Sequence, residues 1–397
     1  MVERYEEDIA RLTERLVAID TTNPPGRGYA ACAELLEETL GELGLPGTMR
    51  RIDLPHREPR FCLRAEWGTG SRALYLHGHY DVVPAQSPSQ FAPRRENGRI
   101  VGRGSADMKS GLAAMIYAVV ALRDAGFEPD GRVVLQLVPD EEDGSRGGSR
   151  WLLENHLLAD ADAIGMLTPE PTSGVVWNAS RGAITQRVTV HGRESHVGLL
   201  HLGDNAFERM LDVAAAFRAL RDELASHQTA YAIDPPEAGR SILLLGGIAS
   251  SGSGFNVVPG QASFTLDRRP NPEEDLDAEG ARMGALIDRF RADGYSIEVE
   301  TLQEAFSSGS PSDGPLATAL AESVQAVEGA RPAFELCPGV LETRWYARLG
   351  IPAYAYGPGL LEVAHGSEEY VDIAAVVRCA EVYARTIERM LSPAGRQ

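Results

Sequence analysis

Basic residues and cysteines are scarce in this sequence of 397 residues. Lysine and arginine number 38 against 57 aspartates and glutamates, so the formal net charge is −19. Because no basic run offsets this charge, we expect no nucleic-acid partner. The four cysteines lie far apart and form no CxxC pair, a pattern typical of buried free thiols in a reducing compartment.

Long apolar runs are also missing. No stretch has the roughly 18 apolar residues needed to span a membrane, so we expect no membrane partner. The first 20 residues read as an acidic amphipathic helix without the apolar core of a signal peptide. The sequence therefore predicts a cytoplasmic protein, in which the sequon at Asn178 is a chance match.

Strands and helices alternate in the first part of the chain and again at its end. Their strands are apolar runs, which indicates a mainly parallel sheet covered on both faces. Residues 183–302 follow a different order, strand–helix–strand–strand–helix–strand, which is the ferredoxin-like pattern. We therefore predict a catalytic domain formed by 1–182 and 303–397, with 183–302 inserted as a separate domain. Apolar stripes on the helices of the insert suit either dimer contacts or core packing.

The segment "LYLHGHYDVVPA" places His77, His79 and Asp81 at alternate positions of a predicted strand. Alternate strand residues share one face, so all three side chains would point the same way. Three polar groups that can bind metal are costly to bury on an apolar strand unless something binds them. The alternation does not decide which of the three is a ligand.

Four further segments bring acidic or histidine side chains to strand ends or loops. They are "GSADMKSG" (104–111), "PDEEDG" (139–144), "PEPT" (169–172) and "VAHGSEEY" (363–370). Each is ambiguous alone, since an aspartate at a helix start usually caps the helix. Two histidines and three carboxylates without cysteine, however, suit a pair of catalytic zinc, cobalt or manganese ions. The "EE" pair would then supply a ligand and a general base side by side.

Six motifs occur in the order of a known family. The segments "HGHYDVVP", "GRGSADMKSG", "DEEDGSRGG", "EPT", "GRESHVG" and "AHGSEEYV" resemble glutamate carboxypeptidase, aminoacylase, acetylornithine deacetylase and succinyl-diaminopimelate desuccinylase. The resemblance extends over nearly the whole chain. It implies an α/β fold with a mainly parallel-sheet, di-metal aminopeptidase-like catalytic domain and an inserted ferredoxin-like α+β lid through which homodimers form.

The resemblance also implies the metal ligands. His79 and Glu170 would hold one metal, Glu142 and His365 the other, and Asp107 would bridge them. The implied cofactor is two divalent ions per subunit: zinc, with cobalt or manganese as alternatives. The peptide bond after Asp107 is often cis in this family.

Further roles follow from the same resemblance. Glu141 would be the general base, and Asp81 would orient the imidazole of His79. His77 has no role in the family and is expected to be a packed strand histidine. His196 in the lid would reach the active site of the partner subunit and bind the charge that develops on the substrate carbonyl.

Three residues are expected to contact the substrate. Asn256 lies in the substrate-facing segment of the lid. Arg269 would clamp a substrate carboxylate, because arginine binds carboxylates bidentately, or else form an ion pair on the lid. Arg344 would bind a substrate carboxylate or pair with Glu342, which stands where the family commonly has aspartate.

The resemblance places the chain among metal-dependent amidohydrolases and metallopeptidases. Glu170 matches the deacylase, aminoacylase and carboxypeptidase members, whereas dipeptidases often have aspartate there. We therefore predict hydrolysis of an N-acyl amino acid by a water shared between the metals, with a glutamate as the base. The alternatives are a carboxypeptidase or dipeptidase that acts on a short peptide, and a metal-binding dimer without catalysis.

Overall fold

The computed structural model describes residues 1–55 and 57–393, which form two compact units. The larger unit comprises Met1–Asn178, Gly309–Phe334 and the residues from Glu342 onward. The smaller unit comprises Ala179–Ser308 and Glu335–Leu341. The predicted insertion, 183–302, lies within the smaller unit.

The helices of the described chain are mostly amphipathic or buried segments. In chain order they are α1 (Glu6–Val17), α2 (Tyr29–Glu42), α3 (Ser110–Asp124), α4 (Ser149–Glu154), α5 (Ala206–Leu224), α6 (Leu276–Ala292), α7 (Pro315–Glu328), α8 (Thr343–Ala347) and α9 (Ile373–Leu391).

The strands vary from two to twenty residues. In chain order they are β1 (Gly47–Ile52), β2 (Arg60–His79), β3 (Arg94–Glu96), β4 (Arg99–Val101), β5 (Asp130–Val138), β6 (Ala163–Thr168), β7 (Val176–Ser180), β8 (Ala183–His191), β9 (Ser195–His196), β10 (Ile242–Ser251), β11 (Val257–Val258), β12 (Gln261–Arg269), β13 (Ser296–Ala305), β14 (Ser308–Gly309), β15 (Phe334–Cys337), β16 (Ala353–Ala355) and β17 (Tyr370–Asp372).

A parallel group of strands forms the centre of the larger unit. The last part of β2 runs parallel to β5, from Ala73 opposite Arg132 to His79 opposite Val138. Strand β6 is parallel to β2 on the other side and also to β16, whereas β1 pairs with β2 in the antiparallel sense. The strands β2, β5 and β6 therefore end at the same edge of the sheet, and their following loops meet there.

Helix α3 forms part of the core of the larger unit. Together with the preceding turn it spans Ser105–Asp124, the one described helix long and apolar enough to cross a membrane by length and composition. Its apolar window is 94% buried inside the protein. Burial on nearly every side is typical of a central core helix.

The smaller unit has an antiparallel four-stranded sheet with the order β10-β12-β8-β13. Helices α5 and α6 follow β8 and β12 in the chain, which gives the predicted β-α-β-β-α-β connectivity. The core of this unit packs apolar residues of the sheet, such as Val188 and Phe264, with Phe217 of α5 and Ile287 of α6. The ferredoxin-like architecture predicted for this segment is confirmed.

Candidate metal centre

Strand β2 ends at His79, so Asp81 lies beyond the strand and the predicted alternation of three strand residues is wrong. The amide of Tyr80 still donates to the carbonyl of Val138 in β5, but the amide of Val82 donates instead to the carbonyl of Thr21. Asp81 still lies beside His79: its Oδ1 is 3.4 Å from His79 Nδ1. The carboxylate and the backbone carbonyl of Asp81, 3.1 Å from the same nitrogen, orient the imidazole.

Two groups of side chains gather at this edge of the sheet, and Asp107 belongs to both. In the first, His79 Nε2 lies 3.4 Å from Asp107 Oδ1 and 3.8 Å from Glu170 Oε1. In the second, His365 Nε2 lies 3.2 Å from Asp107 Oδ2 and 3.3 Å from Glu142 Oε1. The candidate ligand atoms of each group all lie within 4.8 Å of one another. The Asp107–Met108 peptide bond is cis, as the resemblance implies.

The donor atoms of these two groups fit a pair of divalent cations. Asp107 Oδ1 and Glu142 Oε1 are buried and accept no hydrogen bond from any residue that the structure describes. A buried carboxylate oxygen without a partner is costly, and a bound cation removes that cost. Imidazole and carboxylate ligands without sulfur suit zinc, cobalt or manganese.

Negative charge dominates the electrostatics of the cluster. Burial raises the pKa of Glu142, raises that of Glu170 well above its ordinary value and raises that of Glu141 to about 8. Asp107 differs, because the imidazoles of His365 and His79 beside it outweigh its burial and lower its pKa. The carboxylates thus crowd one another, and a bound cation would offset their negative charge.

The Glu141–Glu142 segment is held by two buried aspartates. The Asp81 carboxylate accepts the backbone N–H groups of Glu141 and Glu142, each at 3.1 Å. Asp140 has a φ of 65° and pairs with the buried Arg60, whose Nε lies 3.0 Å from both carboxylate oxygens. The two glutamate side chains therefore start from a fixed backbone.

The buried carboxylate of Glu369 links the chain segments that carry Asp107 and His365. It accepts the backbone N–H groups of Gly104, Ala106 and Asp107 at 3.0 to 3.1 Å. Arg103 pairs with Glu369 and also donates to the carbonyl oxygen of His365 at 3.0 Å. Glu369 stands in the quoted "AHGSEEYV" motif, but its role in holding the backbone is not evident from the sequence.

The site residues expected in the lid lie in the smaller unit. His196 and Asn256 are exposed neighbours, because β9 pairs with β11 and the Val197 amide donates to the Asn256 carbonyl at 3.0 Å. The backbone amide of Gly198 donates to Nδ1 of His196 at 3.1 Å. Arg269 forms an ion pair with Asp267 at 2.9 Å, the second of the two interpretations given for it.

Comparison with known proteins settles the family. The profile of peptidase family M20/M25/M40 matches residues 75–389. The chain belongs to this family. Succinyl-diaminopimelate desuccinylase of Magnetococcus marinus is 29% identical over 98% of this chain and 100% of the relative.

Two solved structures share the fold of this M20 family member. The M20 metallo-carboxypeptidase Sso-CP2 of Sulfolobus solfataricus has a TM-score of 0.80 at 18% identity, over 96% of this chain and 99% of the other. The YXEP protein of Bacillus subtilis, a dinuclear metal binding peptidase, has a TM-score of 0.68 at 16% identity, over 98% and 99%. The predicted family, the α/β fold class and the assignment as a metal-dependent hydrolase are confirmed.

The remaining candidate of this M20 chain, Arg344, is only 1% exposed. Its Nη2 lies 3.7 Å from Glu342 Oε1, and its Nη1 lies 3.8 Å from Glu141 Oε1. Arg344 thus stands between two carboxylates, one of which is the predicted base.

Proposed function

We propose that this M20 family protein hydrolyses the amide bond of an N-acyl amino acid. The observation that carries the proposal is a pair of ligand groups sharing Asp107, with the carboxylate of Glu141 outside both groups. The similarity to the Magnetococcus marinus desuccinylase along the whole chain supports an acyl substrate.

The proposed ligands are His79 and Glu170 for one ion, Glu142 and His365 for the other, and Asp107 for both. Zinc ions bound there, or cobalt or manganese, would polarise the amide carbonyl and lower the pKa of a water molecule.

In the proposed reaction, Glu141 accepts a proton from the attacking water, whose oxygen bonds to the amide carbon. The C–N bond then breaks, and Glu141 delivers the proton to the leaving nitrogen. The products are a carboxylate and a free amine. Asp81 orients the ring of His79 and holds the backbone of Glu141 and Glu142. Residues that orient a metal ligand typically affect metal affinity as well as rate.

The smaller unit is proposed to supply the other substrate contacts. His196 of a second copy would donate to the charge that develops on the carbonyl oxygen. Asn256 and Arg269 would contact the substrate, as would Arg344 from the larger unit. For Arg269 this requires the guanidinium to exchange Asp267 for a carboxylate of the substrate.

The smaller unit is also proposed as the dimerisation domain. Strand β10 lies at the edge of its sheet, and Leu244 and Ile248 on that strand are 54% and 65% exposed. Leu211 on α5 is 50% exposed. Large apolar side chains on an open sheet edge are a liability unless another chain covers them, and a second copy would do so.

We expect the protein to behave as a dimer in light scattering after size-exclusion chromatography. The double substitution Leu244→Glu/Ile248→Glu should give a monomer, because it places charges in the proposed apolar contact. Leu349→Glu, at an exposed leucine of the larger unit, serves as the matched control and should remain dimeric. A wild-type monomer at micromolar concentration would contradict the proposed dimer.

The proposed activity is tested with N-acetyl, N-succinyl and N-formyl amino acids and with dipeptides, against zinc- and cobalt-loaded protein. Release of free amine from an N-acyl amino acid is expected, and removal of metal with a chelator should abolish it. Faster turnover of unblocked dipeptides would favour the peptidase alternative. Absence of turnover across the whole panel would overturn the proposed function.

A further inference from the structure

His77 is fully buried and makes specific polar contacts in the larger unit. Its Nε2 lies 2.9 Å from Glu342 Oε2, and its Nδ1 lies 3.1 Å from the hydroxyl of Tyr346. The Ser149 hydroxyl is 3.0 Å from the same Nε2. Both ring nitrogens are therefore engaged, so the imidazole has one defined orientation.

Glu342, the partner of His77, is a fully buried carboxylate at the start of α8. It accepts hydrogen bonds from several donors besides His77: the hydroxyls of Ser145 and Ser149, and Nε1 of Trp345 at 3.0 Å. Burial would raise its pKa, but the hydrogen bond from His77 and the charge of Arg344 outweigh burial and lower the pKa to about 2. The carboxylate is thus held as an anion in a fixed position.

Arg344 connects this anion to the predicted base. Its Nη2 donates to Ser145 Oγ at 3.1 Å, and the same serine donates to Glu342. Its guanidinium carbon lies 4.6 Å from the centre of the Trp345 ring. With one side fixed in this way, the other side of the guanidinium faces Glu141 Oε1 at 3.8 Å.

We propose that His77 and Glu342 are positioning residues that hold Arg344 against Glu141. Donors such as His77 fill the hydrogen-bonding capacity of the Glu342 carboxylate. The guanidinium of Arg344 therefore does not move onto Glu342 and stays beside Glu141. Without the His77 donor, Glu342 Oε2 would lose a hydrogen bond, and the guanidinium would be the strongest replacement donor within reach. The guanidinium would then leave Glu141. This inference rests on the proposed role of Glu141 as the base.

The test is a double-mutant cycle in kcat/KM with the metal-loaded enzyme. His77→Ala should lower kcat/KM by about 10- to 100-fold, the range for a buried hydrogen bond to a charged group. In an Arg344→Met background, the same His77→Ala change should cost less than about 2-fold further, because coupled residues are not additive. His77→Gln, whose amide keeps a donor toward Glu342, should recover most of the loss. His156→Ala, at an exposed histidine of the same unit, is the matched control.

A crystal structure of His77→Ala gives a readout that does not need turnover. The proposal expects the Arg344 guanidinium to be displaced from Glu141, with metal content unchanged. Fully multiplicative effects of the two substitutions, or an Arg344 that stays in place, would overturn the proposal. If the wild-type protein turns over no substrate, the proposed function fails, and the position of Arg344 in the variant still decides this inference.

Discussion

Replacing Glu141 with alanine is expected to lower kcat by about 10²- to 10⁴-fold, the range that a positioned general base contributes. The bound metal should stay near two ions per subunit, because Glu141 belongs to neither of the two ligand groups. The measurements are kcat on the best substrate of the acyl panel and metal content by mass spectrometry of the same preparation. Glu141→Asp should also be impaired, since the shorter side chain withdraws the carboxylate.

Glu128→Ala serves as the control for this experiment, because Glu128 is an exposed glutamate of the same unit. It should leave both kcat and metal content unchanged. Retained activity in a clean Glu141→Ala preparation would refute the mechanism. A parallel loss of metal would instead identify Glu141 as a ligand.

Replacing His79 with alanine is expected to remove metal and nearly all activity. His79 is the only imidazole in the first ligand group, where its Nε2 lies between Asp107 and Glu170. Asp81→Ala should lose less metal than His79→Ala. It should still lower the rate by about 10- to 100-fold, as for other residues that orient a ligand. Equilibrium dialysis with zinc, followed by kinetic assays, measures both quantities.

His201→Ala is the histidine control here, since His201 is exposed in the smaller unit. An Asp81→Ala protein that loses more metal than His79→Ala would show that the ligand assignment at this strand end is misplaced. Full metal content in His79→Ala would have the same meaning.

Much of the fold can be predicted from local sequence patterns. The apolar runs of the β2, β5 and β6 regions indicated strands buried on both faces, and the structure has them at the parallel centre of the sheet. The order of elements in 183–302 was enough to predict the ferredoxin-like sheet, because each element has its own periodicity. The extension of β2 back to Arg60 is not evident from the sequence, since "GTGS" within it looks like a turn between elements.

The contacts around the site were harder to predict, because they join residues that are distant in sequence. Glu342 and His77 are 265 positions apart, and Arg60 and Asp140 are 80 apart. A buried ion pair leaves no periodic signal, so an arginine such as Arg60 reads as an ordinary charged residue. The position of Asp81 was misjudged for a related reason: alternation in sequence does not show where strand pairing stops.

The candidate ligands come from five segments of the larger unit, and Asp107 belongs to both groups while His365 lies near the end of the described chain. During synthesis, the second ligand group is therefore incomplete until the segment after the whole smaller unit has left the ribosome. Ions that bind only the folded protein stabilise it, and here they would do so only after both parts of the larger unit have joined. With the proposed ligands, metal binding would be a late event in the maturation of the chain, and it would stabilise the fold only once that fold is complete.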